Sequence, residues 1–176
     1  MWPVIVVDDG SHDGSARQIA RCGFDNLQVI QQPGRGVTAT WNAGLRLAKT
    51  TYAVLLNNDL VIEGPFMESL LGPLRSEQAL ITGAELQAEH FLAGWCLAFG
   101  RELWRNLGGF DESLQTYWSD TDFQQRTIAT CQTATPLQVV ASLPLQHLGH
   151  RTTGHDPHRR QRWLTDQARY LQKWPS

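Results

Sequence analysis

Four places in the chain carry side chains suited to polar chemistry: Asp8-Asp9, Asp59, Asp120 with Asp122, and the imidazole of His147. Aspartates with one imidazole suit a hard or borderline divalent cation such as Mg2+ or Mn2+, which in turn suits phosphate oxygens. A carboxylate left off the metal could serve as a general base. Taken singly, each residue also fits a structural role. Asp8 and Asp9 could be turn residues, Asp122 a capping partner, and His147 a core or surface histidine.

The elements that must hold these groups can be read from the apolar pattern. Tyr52–Leu56 is apolar on both faces and then stops on Asn57, Asn58 and Asp59, residues that favour turns. A strand of that kind belongs in a parallel sheet covered by helices on both sides, and its carboxyl end is where open α/β sheets bind ligands. Pro3–Asp9 is a second such strand ending on carboxylates. GSHDGS at residues 10–15 supplies a turn, and Ser11 or Asp13 is placed to cap a helix running to about Arg21. Leu27–Gln31 reads as a third strand. Val37–Lys49 reads as a helix on the spacing of Val37, Trp41, Leu45 and Ala48, with Gly44 as its weak point. Strand and helix alternating over so few residues predict an α/β fold with a mostly parallel central sheet.

The second half reads differently. Residues 64–77 look helical, with a break or kink expected at Pro73. Ala79–Ala84 predicts a short strand, Phe91–Phe99 a continuous strand across the core, and Arg101–Leu107 a helix ended by Gly108-Gly109. Ser119–Cys131 predicts a helix opened by a capping box of Ser119 and Asp122, with Phe123, Thr127 and Ile128 facing inward. Leu137–Ala141 predicts a strand. Asp156–Trp174 predicts an Arg-rich amphipathic helix with Trp163, Leu164, Leu171 and Trp174 on its apolar face. The whole is read as a single domain in three stretches, residues 1–60, 61–153 and a terminal helix at 154–176.

Composition narrows the function. A formal charge of -2 and a pI near 6.3 argue against a nucleic-acid partner. Cys22, Cys96 and Cys131 are isolated, which suits free thiols in a reducing compartment better than disulfides or zinc. With no membrane-length apolar run and no signal-like N-terminus, the expected location is cytoplasmic. The chain has no P-loop lysine pattern, no GxGxxG after a strand and no GxSxG elbow.

Four stretches in order resemble family 2 glycosyltransferases of the GT-A fold: VIVVDDGSHDGS (residues 4–15), GVTATWNAGLRLAKTTYAVLLNNDL (36–60), LAGWCLAFGRELWRNLGGFDESL (92–114) and YWSDTDFQQR (117–126). The resemblance covers most of residues 3–153. It implies an inverting, metal-dependent transfer of a sugar from a nucleotide-diphospho-sugar to a hydroxyl of a glycan or lipid-linked acceptor, as in polysaccharide or cell-surface glycan assembly. It implies that Asp8, Asp9 and Asn58 bind the nucleotide, with Asp9 on the base and Asn58 near the ribose. Asp59 and His147 would hold the divalent metal, and Asp120 would be the general base. Trp95, Trp118 and Asp122 would face the acceptor, although a tryptophan in an apolar strand is more often core. The NND triplet resembles rhamnosyltransferase-like members.

The chain departs from the family in three ways. The usual first strand and helix are expected to be missing ahead of Val4, the segment between Leu60 and Leu92 is short, and Ser119 replaces an acidic residue beside Asp120. An open sheet edge would then need cover, which a second chain forming a homodimer could provide. A nucleotide- or sugar-binding remnant without turnover is the alternative reading. A nucleotidyltransferase-like enzyme would want a lysine-rich loop after the first strand, and GSHDGS has no lysine. The Arg-rich helix could lie on an anionic inner-membrane surface or pack on the domain.

Overall fold

The structure, a computed structural model, describes residues 1–87, 90–132, 134–149 and 157–175. Its first half follows the expected alternation: β1 (Val4–Asp8), α1 (Ser15–Ala20), β2 (Leu27–Gln31), α2 (Val37–Leu47) and β3 (Tyr52–Leu56). Then come β4 (Leu60–Ile62), α3 (Met67–Arg75), β5 (Ile81–Gly83), β6 (Leu86–Gln87), β7 (Phe91–Leu92) and β8 (Cys96–Gly100). The chain continues through α4 (Arg101–Asn106), α5 (Ser119–Thr130), β9 (Leu137–Val139), β10 (Leu145–His147) and α6 (Arg159–Lys173).

The central sheet runs β3-β8-β5-β9. It is only partly parallel: β5 and β9 pair in parallel, while β8 runs against both β3 and β5. The expected strand β3 is there with helices on both its faces, but as an edge strand in an antiparallel pair: Ala53 and Leu55 are buried, Tyr52 and Val54 half-buried and Leu56 exposed. Leu45 of α2 packs with Ala53 and Leu55, and with Phe99, Phe110 and Phe123. On the other face, Leu70, Leu71 and Leu74 of α3 meet Tyr52 and Val54. β1 and β2 pair in parallel as a separate ribbon. Among the described residues no ladder joins β1 to β3, so each keeps an edge free of strand partners. The helix α2 spans the two sheets. Gly44, expected as a weak point, is where α2 rests on β1: a Cβ there would stand 3.3 Å from a methyl of Val7.

Several expectations are corrected. Phe91–Phe99 is not one strand; the chain bends at Ala93–Trp95 between β7 and β8. α3 continues through Pro73, which lies in its last turn. Gly14, in the left-handed conformation, stands just before α1, and Asp13 accepts the N–H of Ser15, the first helical residue, at 2.9 Å; Ser11 instead donates its N–H to Asp8. Ser119 and Asp122 form no capping box. The residue before α5 is Trp118, and Asp122 spends its oxygens elsewhere. Ile128 is 40% exposed, whereas Phe123 and Thr127 are buried as expected.

The last helix differs most. Trp163, Leu164 and Leu171 are exposed, and the residues α6 buries are Asp166 and Tyr170. Apolar spacing is half right, since Trp163 touches Trp118 and Trp174 is half-buried, but Asp166 is buried because backbone N–H groups of another segment need an acceptor there. Asp156, where the sequence starts this helix, lies outside the described residues.

Candidate active site

The turn Asn57-Asn58-Asp59 leaves the carboxyl end of β3 and enters β4, and β4 pairs antiparallel with β10 so that Leu60 stands opposite His147. The Leu148 N–H donates to the Asp59 carbonyl at 2.9 Å, and the Asn57 N–H to the Trp95 carbonyl at 3.0 Å. This register brings His147 Nε2 within 3.1 Å of Asp59 Oδ1. Residues 88 positions apart in sequence thus form one pair, and Asp59 is largely shielded while His147 keeps a quarter of its side chain in solvent. The indole of Trp95 lies flat on the His147 ring, with centroids 5.0 Å apart and planes 16° from parallel. Its own N–H donates to Glu85 at 3.0 Å, fixing the indole in turn.

The other candidate carboxylate enters from α5. Asp120 occupies the first turn of that helix, where N–H groups have no intrahelical partner and the dipole favours negative charge. Burial pushes its carboxyl above the ordinary value of 3.8, while the backbone N–H groups of Thr121, Asp120 itself and Gly94 pull the other way. A carboxylate held above its usual range is a better proton acceptor. It lies directly on Gly94, where a Cβ would come within 2.9 Å of the Asp120 Cγ. Gly94 and Trp95 are consecutive. The bend between β7 and β8 therefore carries Asp120 on one residue and the His147–Asp59 pair on the next.

On the nucleotide side, Asp8 closes β1. The Ser11 hydroxyl, with the Gln31 amide and the Ser11 N–H, holds its carboxyl below the ordinary range against the cost of burial. Asp9 accepts from the N–H groups of Arg35 (3.0 Å) and Gly36 (2.8 Å) and from the Gln32 amide (2.7 Å). Its oxygens thus organise the 33–36 loop in this structure. Gly36 has φ of 94° and its α-carbon approaches Gln115 so closely that a Cβ would lie 2.6 Å from that carbonyl, a place for glycine alone. Asn58 is exposed at the turn.

Two residues grouped with the acceptor side are placed differently. Asp122 has no exposed surface; it accepts from Arg126 Nε (2.8 Å), Lys173 Nζ (2.8 Å) and Trp174 Nε1 (3.0 Å), joining α5 to the end of α6. Trp118 lies against Tyr170 at 4.9 Å and Trp163 at 5.8 Å. Of the three residues grouped there, Trp95 alone adjoins the Asp59 pair.

Sequence reading missed several residues on which the site depends. Asn42, buried in α2, donates to the Phe110 carbonyl and Glu112, and accepts from Trp104 and the Phe110 N–H. It fastens the Gly108–Glu112 turn to the helix, and a polar residue at an inward helical position was the available signal. Gly94, Glu85 and Asp166 gave no such signal.

Could these residues hold a divalent cation? Among the described residues no group of three His, Cys, Asp or Glu side chains converges. One carboxylate and one imidazole fit a cation that takes its remaining ligands from water and substrate phosphates, as Mg2+ and Mn2+ do in nucleotide sites.

An α/β sheet flanked by α2 and α3, with an aspartate at the end of β3 and another at the start of α5, has the GT-A glycosyltransferase fold. The model of glycosyl transferase family 2 matches residues 2–108, and the chain belongs to that family. Among solved structures it is similar to the mannosyltransferase PcManGT from Pyrobaculum calidifontis in complex with GDP-Man and Mn2+. There the TM-score is 0.66 and the identity 21%, over 97% of this chain and 55% of that one. It is also similar to GalNAc-T7 with UDP, GalNAc and Mn2+, with a TM-score of 0.63 and 14% identity over 82% of this chain and 37% of that one. The chain thus spans about half the length of the first relative and less of the second. No curated protein matches it.

Proposed function

We propose that this chain transfers a sugar from a nucleotide-diphospho-sugar to an acceptor hydroxyl with inversion at the anomeric carbon. The observation that supports the reading is the bend at Gly94-Trp95: Gly94 lies against the half-buried Asp120, whose carboxyl is raised above its ordinary value, and Trp95 stacks on His147, the partner of Asp59. Asp120 takes the proton of the acceptor hydroxyl as that oxygen bonds to the anomeric carbon. The bond from the same carbon to the diphosphate oxygen breaks on the opposite face, and the electron pair leaves with the nucleoside diphosphate. Asp59 and His147 would hold Mn2+ or Mg2+, which supplies positive charge near the departing diphosphate. The nucleotide-sugar and Mn2+ complexes of the similar structures support that donor class.

Asp8, Asp9 and Asn58 would receive the nucleotide, with Asp9 exchanging a loop N–H for the base. Trp95 would contact an acceptor sugar. The donor would carry a hexosyl or rhamnosyl group and the acceptor would be a glycan or lipid-linked hydroxyl, as the family resemblance implies. Leu164 and Leu171, exposed on α6 with Arg160, give it a surface for peripheral contact with a membrane; no described helix is long and apolar enough to cross one. The free edges of β1 and β3 offer a second copy of the chain a place to pair. One observation favours the alternative, a binding remnant without turnover: the Asp9 carboxylate is already filled by the chain's own N–H groups.

Calorimetric titration of UDP, GDP and dTDP, with and without Mn2+, tests the reading in wild type and Asp59→Ala. One diphosphate should bind in a Mn2+-dependent manner and lose that dependence in the variant. Failure of all three at millimolar concentration would sink the transferase reading.

A further inference from the structure

The loop that leads into Asp120 is held by the last helix of the chain. Gln115, Thr116 and Tyr117 turn three consecutive backbone N–H groups onto one carboxylate, that of Asp166 on α6, at 3.3, 2.9 and 3.0 Å. Asp166 is 2% exposed, and its charged neighbour is Arg169 at 3.5 Å. Successive N–H groups converging in this way form an anion nest, and here the anion belongs to the protein. One turn further along α6, Tyr170 stacks on Trp118 with planes 30° from parallel. Trp118 has φ of 67°, a left-handed conformation that costs a bulky residue energy and persists where surroundings fix it. It is the residue that turns the chain into α5, two positions before Asp120. From the other side, the Thr38 N–H and hydroxyl donate to the Gln115 and Leu114 carbonyls, so the loop is gripped by α2 and α6 together.

We propose that Asp166 is a positioning residue for the general base. By gathering the N–H groups of residues 115–117 it holds Trp118 in its left-handed turn and Asp120 against Gly94. The inference rests on the reading of Asp120 as the base. Asp166 touches no substrate and acts through the loop alone. A base displaced by about 1 Å from the hydroxyl it serves loses about a hundredfold in rate, which is why a support this far along the chain matters to chemistry.

The test is Asp166→Asn in the full chain. The amide keeps the volume but loses the charge and sets its own N–H groups against the nest. Three quantities are read: Mn2+-dependent affinity for whichever of UDP, GDP and dTDP binds, turnover of the matching nucleotide-sugar, and hydrogen exchange at residues 115–118. The expected result is kcat lowered tenfold to a hundredfold, with donor KM and diphosphate Kd within twofold, and exchange at least tenfold faster. Lys173→Ala, which loosens α6 without touching the nest, serves as the stability control and should keep kcat within twofold. Unchanged exchange in Asp166→Asn, or a loss of kcat matched by Lys173→Ala at equal loss of Tm, overturns the inference. Should Asp166→Asn not fold, Tyr170→Leu unpacks Trp118 with the nest intact and must show the same fall in kcat. If the wild type turns over no donor, the base assignment fails, and faster exchange in Asp166→Asn would leave only a structural loop tie.

Discussion

Gly94 lies against the Asp120 carboxyl so closely that a Cβ at residue 94 would overlap Oδ2 and stand 2.9 Å from Cγ. The bend before β8 and the carboxylate at the start of α5 fit together only without that side chain. Gly94→Ala must therefore push Asp120 aside or shift the bend. We expect turnover to fall at least a hundredfold while Mn2+-dependent diphosphate binding stays within threefold. Steady-state kinetics beside calorimetry would check it, and full activity in the variant would remove Asp120 from the reaction.

Asp120→Asn should abolish most transfer, by a factor of about 10²–10⁴, and at the same time raise the Tm. Burial raises the carboxyl of Asp120 in the folded protein. The folded state thus holds that proton more tightly than the unfolded chain. The resulting stabilisation is complete below pH 3.8 and is lost as pH rises through the folded value. At neutral pH the ionised group is a burden that asparagine lifts. A thermal scan at pH 7 and at pH 3.5 should show the variant's advantage at the higher pH alone.

The same shift governs rate. A base works ionised, so wild-type kcat should rise with pH through the raised pKa of Asp120, above the ordinary carboxylate range. An acid limb near 3.8 would mean that the rate-limiting proton goes elsewhere.

Trp95→Ala removes the plane on which the His147 ring rests and frees Glu85 from its partner. Supports of metal ligands are typically worth ten- to a hundredfold in affinity. Mn2+ titration in the presence of the diphosphate should show a loss of that size, and a loss below twofold would leave Trp95 with the acceptor alone.

How much of this was legible beforehand follows the range of the interactions. β2 and α2 were readable because apolar period and turn residues are local properties. The parallel pairing of β1 with β2 followed from the alternation of elements. The direction of β8 was not readable: an apolar run pairs equally well either way, and Gly94 looked like one more small residue in it. Asp59 and His147 could be named singly, but their 3.1 Å approach depends on β4 pairing with β10, across 88 positions. Asp122 was misread because its helix position fits a cap. Its partners Lys173 and Trp174 come from the far end of the chain.

That misreading has its own test. Asp122 is fully buried and answers Arg126, whose side chain is 16% exposed, and Lys173, which it helps hold above the ordinary lysine range against the effect of burial. Removing one partner of such a group leaves charge buried without compensation, at about 3 kcal/mol. Asp122→Ala should lower stability by about that amount in a urea titration, and diphosphate binding should survive wherever the fold does.

The separation of β1–β2 from the four-stranded sheet also bears on how the molecule comes apart. No ladder ties the ribbon to the main sheet among the described residues; α2, the 33–36 loop with its Arg35–Glu112 ion pair, and Arg75 of α3 over the Trp2 ring join them. Strands that share hydrogen bonds melt together, whereas pieces joined only by side-chain and loop contacts can part company. We therefore expect the N-terminal ribbon to open at a lower free energy than the four-stranded sheet, which hydrogen exchange at β1 and β2 would read. A ligand that bridged the two parts would then join two melting events into one.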